Sequence, residues 1–307
     1  MTYENLVQHL SKETTFDSLS ISILVWDLHE AGLLETQKYC ISGSAAKKLV
    51  LMQKEWRLAG WRQSFEYFMF TYDFPYNPGD SAGRARAVEL MHKYSEAEPD
   101  IDRVRHFCSD LELKITNVQS SACERPSEKP MTLSFEHLNQ MLWRAAAGKR
   151  HRRPEWGGSD LIFRAAPSGG SRQPIDTYIF VNEVDGMEPG TYYFDFQRNV
   201  ICRIRNSQSI EEIRLTFPGL TSRCEFSPNV VIAWAAEAQR NMYRYREPRT
   251  YRTLFLDAGH LIENFHISAA SLGRPFHIHY FANVQEFMKR TNSSVNSSVF
   301  LAAMAIA

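Results

Sequence analysis

A short basic run near the middle of the chain contains residue types that suit the binding of a phosphate group. Lys149, Arg150, Arg152 and Arg153 stand close together in the segment KRHRR. The planar guanidinium of arginine matches the oxygens of a phosphate with two parallel hydrogen bonds. A run of charges is, by itself, more typical of a solvated surface, so the assignment depends on its neighbours in sequence.

The neighbour is a loop, RAAPSGGSRQP at residues 164–174, that precedes the apolar run DTYIFVNEV. Gly169 and Gly170 can adopt a positive φ, and they leave room for a ring or a phosphate against the backbone. Ser168 and the backbone amides that follow it can donate hydrogen bonds to such a ligand. A tight turn before a strand is the alternative, and the basic run upstream favours a ligand loop.

Tyrosine alternates with arginine in the segment MYRYREPRTYR, residues 242–252. Stacking rings and guanidinium groups in such a pattern suit an RNA-binding surface. Tyrosine can also act as an acid or a base, so the same segment could form the wall of an active site. The segment alone leaves both interpretations open.

Two further groups of polar residues carry weaker indications. His277 and His279 alternate on a predicted strand and share a face, as metal ligands do, but no third ligand has a matching spacing. We therefore predict core or interface histidines and no metal site. Asp257, His260 and Asn264 lie on one side of a predicted helix, where we favour a polar network at a subunit contact over a catalytic group.

Hydrophobic spacing and turn residues define the elements that must position these groups. Residues 134–148 are predicted to form a helix capped by Ser134, and residues 250–273 a long helix that ends at Gly273. The segment 230–238 fits either a helix or a strand. Strands are predicted at 176–184, 191–196, 199–205, 276–281 and 299–307. The predicted class is α+β with a mixed or antiparallel sheet.

The first part of the chain divides into two predicted regions. Residues 1–50 are predicted to be helical, and the segment 19–35 fits a winged-helix-like module and a packed helical hairpin equally well. Residues 51–133 form a helical lead-in, with an exposed helix at 83–98, and end in a polar linker at 114–134. The main domain is predicted to occupy residues 134–307.

The composition limits the class of partner. Of the 307 residues 44% are hydrophobic, and 35 Lys and Arg balance 35 Asp and Glu, so no net field attracts nucleic acid or a lipid surface. The five cysteines form no C-x-x-C pair, the N-terminal segment MTYENLVQHLSKE is amphipathic and lacks a hydrophobic signal core, and no apolar stretch is long enough to span a membrane. We expect a cytoplasmic protein that binds neither nucleic acid nor membrane.

Five segments together resemble the SagB-type dehydrogenases of the flavin-dependent nitroreductase superfamily. They occur in the family's order over residues 135–307, and they are KRHRR, RAAPSGGSRQPIDTYIFV, VDGMEPGTYYFD, YRYREPRTYRTLFLDAGHLIENFHISAASLG and VFLAAMAIA. Enzymes of this family oxidise thiazoline and oxazoline rings in ribosomally made peptides to thiazoles and oxazoles. The resemblance therefore implies a nitroreductase-like fold, an FMN cofactor and a precursor-peptide substrate.

The resemblance also implies which residues hold the FMN. Arg150 and Arg153 match the basic positions of the family's phosphate-binding motif, with His151 where serine is usual. The long helix from Tyr251 would form a dimer interface. The loop that covers the flavin, typically the flavin of the partner subunit, is matched by Pro167, Ser168, Gly169, Gly170 and Ser171.

Two departures from the family pattern affect the chemistry. Family members commonly carry a Lys-Tyr pair whose lysine is taken as the base, and the corresponding pair here is Arg244 and Tyr245. Arginine stays protonated, so it cannot readily accept a proton. After the long helix, Arg274, Pro275 and Phe276 replace a glycine-rich stretch and would crowd the approach to the flavin.

These features leave three functions open. The first is an FMN-dependent azoline oxidase, as a homodimer, that uses Tyr245 or another base. The second is a degenerate subunit that lends its loop to the flavin of a catalytic paralogue, in a heterodimer that would suit a peptide-toxin pathway such as that of trifolitoxin. The third is a module that binds a leader peptide through residues 1–50.

Overall fold

The computed structural model describes residues 3–14, 21, 25, 44–72, 79–117, 133–294 and 297–307. Its contacts divide the chain into two compact units, Met1–Pro75 and Tyr76–Ala307. The predicted helix at 19–35, apart from Ile21 and Val25, and residues 118–132 of the predicted linker lie outside the described residues. The predicted boundaries near residues 50 and 133 stay predictions, while residues 79–117 belong to the C-terminal unit.

Three helices are described in the N-terminal unit: α1 (Tyr3–Glu13), α2 (Ser44–Leu58) and α3 (Arg62–Tyr72). At the junction of α2 and α3, the centre of the Trp56 ring lies 5.8 Å from the ring centres of Trp61, Phe65 and Phe68. The dense aromatic sequence of this region therefore packs the corner between two helices.

The C-terminal unit contains a seven-stranded sheet with the spatial order β1-β6-β5-β4-β7-β9-β8, and a separate hairpin of β2 and β3. Every strand pair in the sheet is antiparallel. The strands are β1 (Glu112–Lys114), β2 (Arg150–Arg152), β3 (Leu161–Phe163), β4 (Ile175–Val181), β5 (Gly190–Asp195), β6 (Val200–Asn206), β7 (Val230–Glu237), β8 (Phe276–His279) and β9 (Ser298–Ile306).

The central strands of the sheet are formed by apolar segments of the sequence. Every residue of β4 and β5 is buried, as expected for strands that are covered on both faces. The segment 230–238, which fits a helix or a strand by spacing, contains β7, because it pairs along its length with both β4 and β9. The predicted α+β class is confirmed, and the sheet is antiparallel.

Seven α-helices are described in the same unit, and both predicted helix ends are present. The Ser134 hydroxyl accepts a hydrogen bond from the His137 N–H, and Gly273 has a φ of 62° after the long helix. None of the described helices is long and apolar enough to cross a membrane. The helices are α4 (Ser81–Ala97), α5 (Phe135–Ala145), α6 (Ile210–Thr216), α7 (Gly219–Arg223), α8 (Ala238–Met242), α9 (Tyr251–Ser271) and α10 (Val284–Thr291).

Helix α9 has a buried and an exposed apolar face. On the buried face, the Phe265 ring lies 5.4 Å from the ring of Trp234 on β7. Away from that face, the apolar side chains of Tyr251, Phe255, Leu256 and Ile267 are 46% to 62% exposed. Exposed apolar side chains of this kind favour a contact with another molecule. The predicted dimer interface at this helix stays a prediction.

Candidate functional site

A cavity of about 640 Å³ in the C-terminal unit, which we call the arginine cavity, is the candidate site. Its walls are formed by the β2–β3 hairpin, the loop at residues 164–174, which we call the glycine-rich loop, helix α4 and the segment after α8. Among the predicted site residues, Arg153, Gly169 and Tyr245 lie outside its lining. The lining includes Arg150, Pro167, Ser168, Gly170, Ser171 and Arg244. The fold thus brings the basic run, the loop and part of the tyrosine-arginine segment together.

The hairpin of β2 and β3 positions the basic run. Arg150 pairs with Phe163 across the hairpin, and its guanidinium carbon lies 4.5 Å from the centre of the Phe163 ring. Arg152 also lines the cavity, whereas the exposed Arg153 follows the end of β2. Because alternate residues of a strand share a face, the second basic residue of the run that lines the cavity is Arg152. The FMN-binding role that the resemblance implies for Arg153 stays a prediction.

The charges in the lining are strongly unbalanced. Helix α4 contributes Arg84, which sequence analysis missed because no local pattern links it to a segment so far along the chain. Arg84 pairs with Glu155 at 3.1 Å, but both side chains are exposed, so the pair is weak. Glu155 is the one carboxylate among the described lining residues, and the five cations are Arg84, Arg150, Arg152, Arg164 and Arg244. The cavity therefore favours an anionic ligand.

Arg164, at the start of the glycine-rich loop, lines this cavity and has an unused hydrogen-bond donor. Its Nε donates to Gln173 Oε1 at 2.7 Å, and its guanidinium stacks 4.2 Å from the Phe196 ring. Its Nη1 is shielded from solvent and has no hydrogen-bond partner among the described residues. Burial lowers the Arg164 pKa to about 10, so the group stays charged at neutral pH. A buried unpaired donor is costly, and an acceptor oxygen of an anionic ligand would satisfy it.

The glycine-rich loop follows a left-handed backbone path. The φ angles are 57° at Gly170, 54° at Ser171 and 51° at Gln173, and the last two are unusual for residues with a side chain. Hydrogen bonds hold them: Ser171 Oγ and Gln173 Nε2 both donate to the Ile162 carbonyl, at 2.7 Å and 2.8 Å. A Cβ at Gly170 would overlap the Tyr245 hydroxyl. The position therefore requires glycine for both its φ angle and this close approach.

Asp257 on α9 fastens the start of the loop. Its carboxylate accepts hydrogen bonds from Ser168 Oγ at 2.6 Å and from the Gly169 N–H at 3.3 Å. Burial raises the pKa of Asp257, and these two bonds oppose that shift. Among the described residues, Asp257 makes its hydrogen bonds to the loop rather than to His260 or Asn264, which were predicted to form a network with it.

Asp100 fastens the end of the loop through a buried ion pair. Arg172 Nη2 lies 2.8 Å from Asp100 Oδ1, and Arg103 Nη2 lies 3.0 Å from Asp100 Oδ2. Burial by itself raises the Asp100 pKa, but the hydrogen bonds and charges of Arg103 and Arg172 outweigh it and hold the pKa at about 2. Sequence analysis missed Asp100 because an isolated aspartate carries no local signal of a partner 72 residues away.

Arg244 and Tyr245 stand between the arginine cavity and a second cavity. The Arg244 guanidinium lies 5.0 Å from the Trp156 ring and 5.4 Å from the Tyr245 ring. Tyr245 lines the second, mostly apolar cavity of about 730 Å³, which we call the apolar cavity. Since much of the segment 242–252 lines one cavity or the other, its geometry favours a site wall, and the RNA-binding alternative stays untested.

The other predicted groups lie away from both cavities. The His277 and His279 rings are 6.3 Å apart, and no group of three or more His, Cys, Asp or Glu side chains suited to a metal ion occurs in the described part of the chain. Arg274, Pro275 and Phe276 are absent from the lining of both cavities. Arg274 instead contacts His137 Nδ1 at 3.2 Å.

Comparison with known proteins relates the sequence of this chain to one family. Residues 127–275 match the nitroreductase family. The chain is 30% identical over 149 residues, or 48% of its length, to the trifolitoxin-processing protein TfxB of Rhizobium leguminosarum bv. trifolii. It is also 27% identical over 175 residues, or 57% of its length, to MJ1384 of Methanocaldococcus jannaschii, a candidate nitroreductase.

The solved structures show the fold. A candidate nitroreductase from Anabaena variabilis superposes on 72% of this chain with a TM-score of 0.55 and 18% sequence identity. The aligned regions span 40% of TfxB, 78% of MJ1384 and 46% of the Anabaena protein.

Proposed function

We propose that the chain is an FMN-dependent oxidoreductase of ribosomal peptide maturation, because residues 127–275 match the nitroreductase family. It oxidises azoline rings of a precursor peptide to azoles. One observation carries the proposal: a cavity lined by five arginines is bordered by a glycine-rich loop, and that loop touches the Arg244–Tyr245 segment.

FMN is the cofactor of this domain, and the arginine cavity is where it binds. Arg150 and Arg152 bind its phosphate, with Arg84 at the rim. The unused Nη1 donor of Arg164 binds an acceptor oxygen of the cofactor. Ser168 and the Gly170 backbone line the same space. When bound, FMN supplies a two-electron acceptor for the oxidation.

The reaction removes a proton and a hydride equivalent from the azoline ring, and the chain must provide a group for the proton. Arg244 stays protonated and cannot serve as that group. A neutral phenol cannot accept a proton, so Tyr245 would have to take up the ring proton as its phenolate. Its hydroxyl lies against Gly170 at the edge of the arginine cavity. Tyr245 is therefore the proton-handling residue of the pair, and Arg244 contributes a fixed positive charge beside it.

The peptide substrate is supported by similarity. The relative from Rhizobium is named for trifolitoxin processing, and a peptide-processing role in this chain fits the segments that resemble SagB-type dehydrogenases. Leader-peptide binding by residues 1–50 stays a prediction.

A second candidate is favoured by Arg244. In this alternative the chain is a subunit with impaired proton transfer, and it completes the flavin site of a paralogous partner in a heterodimer. The exposed apolar side chains of α9 would form the contact in either a homodimer or a heterodimer.

The absorption spectrum of the full chain tests the proposal. We expect a yellow protein with bound FMN when the chain is expressed alone, and loss of two hydrogen atoms per ring when it is given an azoline-bearing precursor peptide. A colourless chain that turns yellow only with a co-expressed homologue would support the subunit alternative. Absence of flavin in both preparations would overturn FMN binding.

A further inference from the structure

The apolar cavity lies directly beside the proposed catalytic residue. Tyr245 lines this cavity, while its hydroxyl contacts Gly170, and Gly170 lines the arginine cavity. One tyrosine thus forms part of the boundary between two spaces of different character. If the cofactor occupies the arginine cavity, the apolar cavity is the adjoining space in which a substrate can reach Tyr245.

The walls of the apolar cavity disfavour a charged ligand. Pro99, Ile101, Met242 and Leu254 contribute apolar surface. Met242 is 57% exposed, so its side chain is available to a ligand. An apolar group that enters this space is removed from water, which favours binding.

The charged residues of the lining are already paired. Arg246 forms an ion pair with Glu98, and Glu247 lies 3.4 Å from Arg249. A charged ligand would therefore find no uncompensated counter-ion at these positions. The preferred ligand is uncharged.

One residue of the lining, Asn241, has a buried polar atom that lacks a donor. Asn241 is 2% exposed, and its Nδ2 donates to the Thr250 hydroxyl at 2.6 Å and to the Thr253 hydroxyl at 2.9 Å. Nδ2 also faces the Thr250 carbonyl at 3.3 Å, and a carbonyl can only accept, so the orientation of the amide is fixed. Asn241 Oδ1 is then left without a hydrogen-bond partner among the described residues. A buried acceptor in this state is costly, and an N–H group of a ligand would satisfy it.

We infer that the apolar cavity binds a residue of the peptide substrate adjacent to the reacting ring, with an uncharged apolar side chain and with its backbone N–H donated to Asn241 Oδ1. The inference rests on the proposed function, because it takes the arginine cavity as the cofactor site. It adds a specificity pocket to that site, and it predicts that substrates carry an apolar residue next to the ring.

The test uses the full chain with bound FMN and small uncharged amides as probes. N-acetyl-L-leucine dimethylamide has one N–H group, and its N-methylated analogue has none. Saturation-transfer NMR measures the affinity of both. We expect saturable binding of the first probe and about ten-fold weaker binding of the analogue, as the loss of one hydrogen bond to a buried acceptor predicts. Equal affinity of the two probes would overturn the role of Asn241.

Two variants localise the probe. Met242→Arg places a charge in the apolar cavity and should abolish binding. Leu215→Arg is the matched control, because Leu215 is similarly exposed, at 54%, and lies outside both cavities. Unchanged probe binding in Met242→Arg would overturn the inference, and so would the absence of saturable binding to an FMN-loaded wild-type protein. The flavin content of the same samples separates this result from failure of the proposed function, which would appear as loss of FMN itself.

Discussion

Ser168 in the glycine-rich loop donates a 2.6 Å hydrogen bond to Asp257 on helix α9. The same carboxylate accepts the Gly169 N–H. The start of the loop is thus attached to the long helix of the domain. Together with the Arg172–Asp100 ion pair at the end of the loop, this bond fixes the loop beside the arginine cavity.

Replacing Asp257 by Asn should loosen the loop. The amide keeps the shape of the side chain but loses the charge and one acceptor, so we expect a loss of about 1–3 kcal/mol in the free energy of unfolding and weaker FMN binding. Urea denaturation and FMN titration measure the two effects. Glu263→Gln is the control, because Glu263 is an exposed carboxylate on the same helix. Equal behaviour of the two variants would contradict the attachment.

The contact between Gly170 and Tyr245 can be separated from backbone strain. Gly170 and Gly157 both have a positive φ, of 57° and 76°, but a Cβ at Gly157 would have nothing within 4 Å. Ala at either site should cost about 1 kcal/mol from its φ angle. Only Gly170→Ala should also displace Tyr245 and lower azoline oxidation. A comparable loss of activity in Gly157→Ala would show that the contact is not the cause.

Asp100 should make the protein sensitive to acid. Its pKa falls from an ordinary value of 3.8 to about 2 in the folded chain, so its stabilising contribution is present above pH 4 and is lost as the pH falls towards 2. The shift corresponds to about 2 kcal/mol. We expect Asp100→Asn to be less stable than the wild type at pH 6, with a smaller difference at pH 3.

Urea denaturation at these two pH values measures this dependence. Asp102→Asn serves as the control, since the Asp102 side chain is 66% exposed and pairs with the exposed His106. A stability difference for Asp100→Asn that is the same at both pH values would contradict the depressed pKa of Asp100.

Arg244→Lys tests which residue limits proton transfer. Lysine can act as a base where arginine cannot, so we expect azoline oxidation to rise by about ten-fold or more, within the usual contribution of a positioned base. Mass spectrometry of the peptide product measures the rate, with the FMN content determined in parallel. The double change with Tyr245→Phe shows whether the gain depends on the tyrosine. No gain in an FMN-loaded variant would count against Arg244 as the blocking residue.

The exposed apolar side chains of α9 predict self-association. Phe255→Asp places a charge among these side chains, and we expect sedimentation velocity to show a shift from dimer to monomer, because burying an unpaired carboxylate is unfavourable. Leu215→Asp changes an equally exposed leucine on α6 and should leave the dimer intact. Dimers of unchanged stability in Phe255→Asp would place the interface elsewhere.

Local patterns in the sequence were sufficient to predict the parts of this fold that depend on interactions between neighbouring residues. The cap at Ser134, the left-handed end of α9 at Gly273 and the apolar runs of β4 and β9 all follow from residue type and spacing. The segment 230–238 remained ambiguous because its choice of strand depends on pairing with β4 and β9. Those partners are distant in sequence.

The candidate site was predictable only in part, for the same reason. The loop and the basic run carry their own signals, but strand alternation decides that Arg152 lines the cavity and that Arg153 lies outside it. Arg84 and Asp100 act through partners that are 71 and 72 residues away. Only the tertiary structure identifies such pairs.

The two fastenings of the glycine-rich loop also set an order of assembly. Ser168 bonds to a residue 89 positions later, and Arg172 pairs with a residue 72 positions earlier. Closing such long stretches of chain is slow, and neither contact can form until the chain segments on both sides have docked. We therefore expect the ligand cavity to form late in folding, so that a ligand binds a chain whose sheet and long helix are already in place.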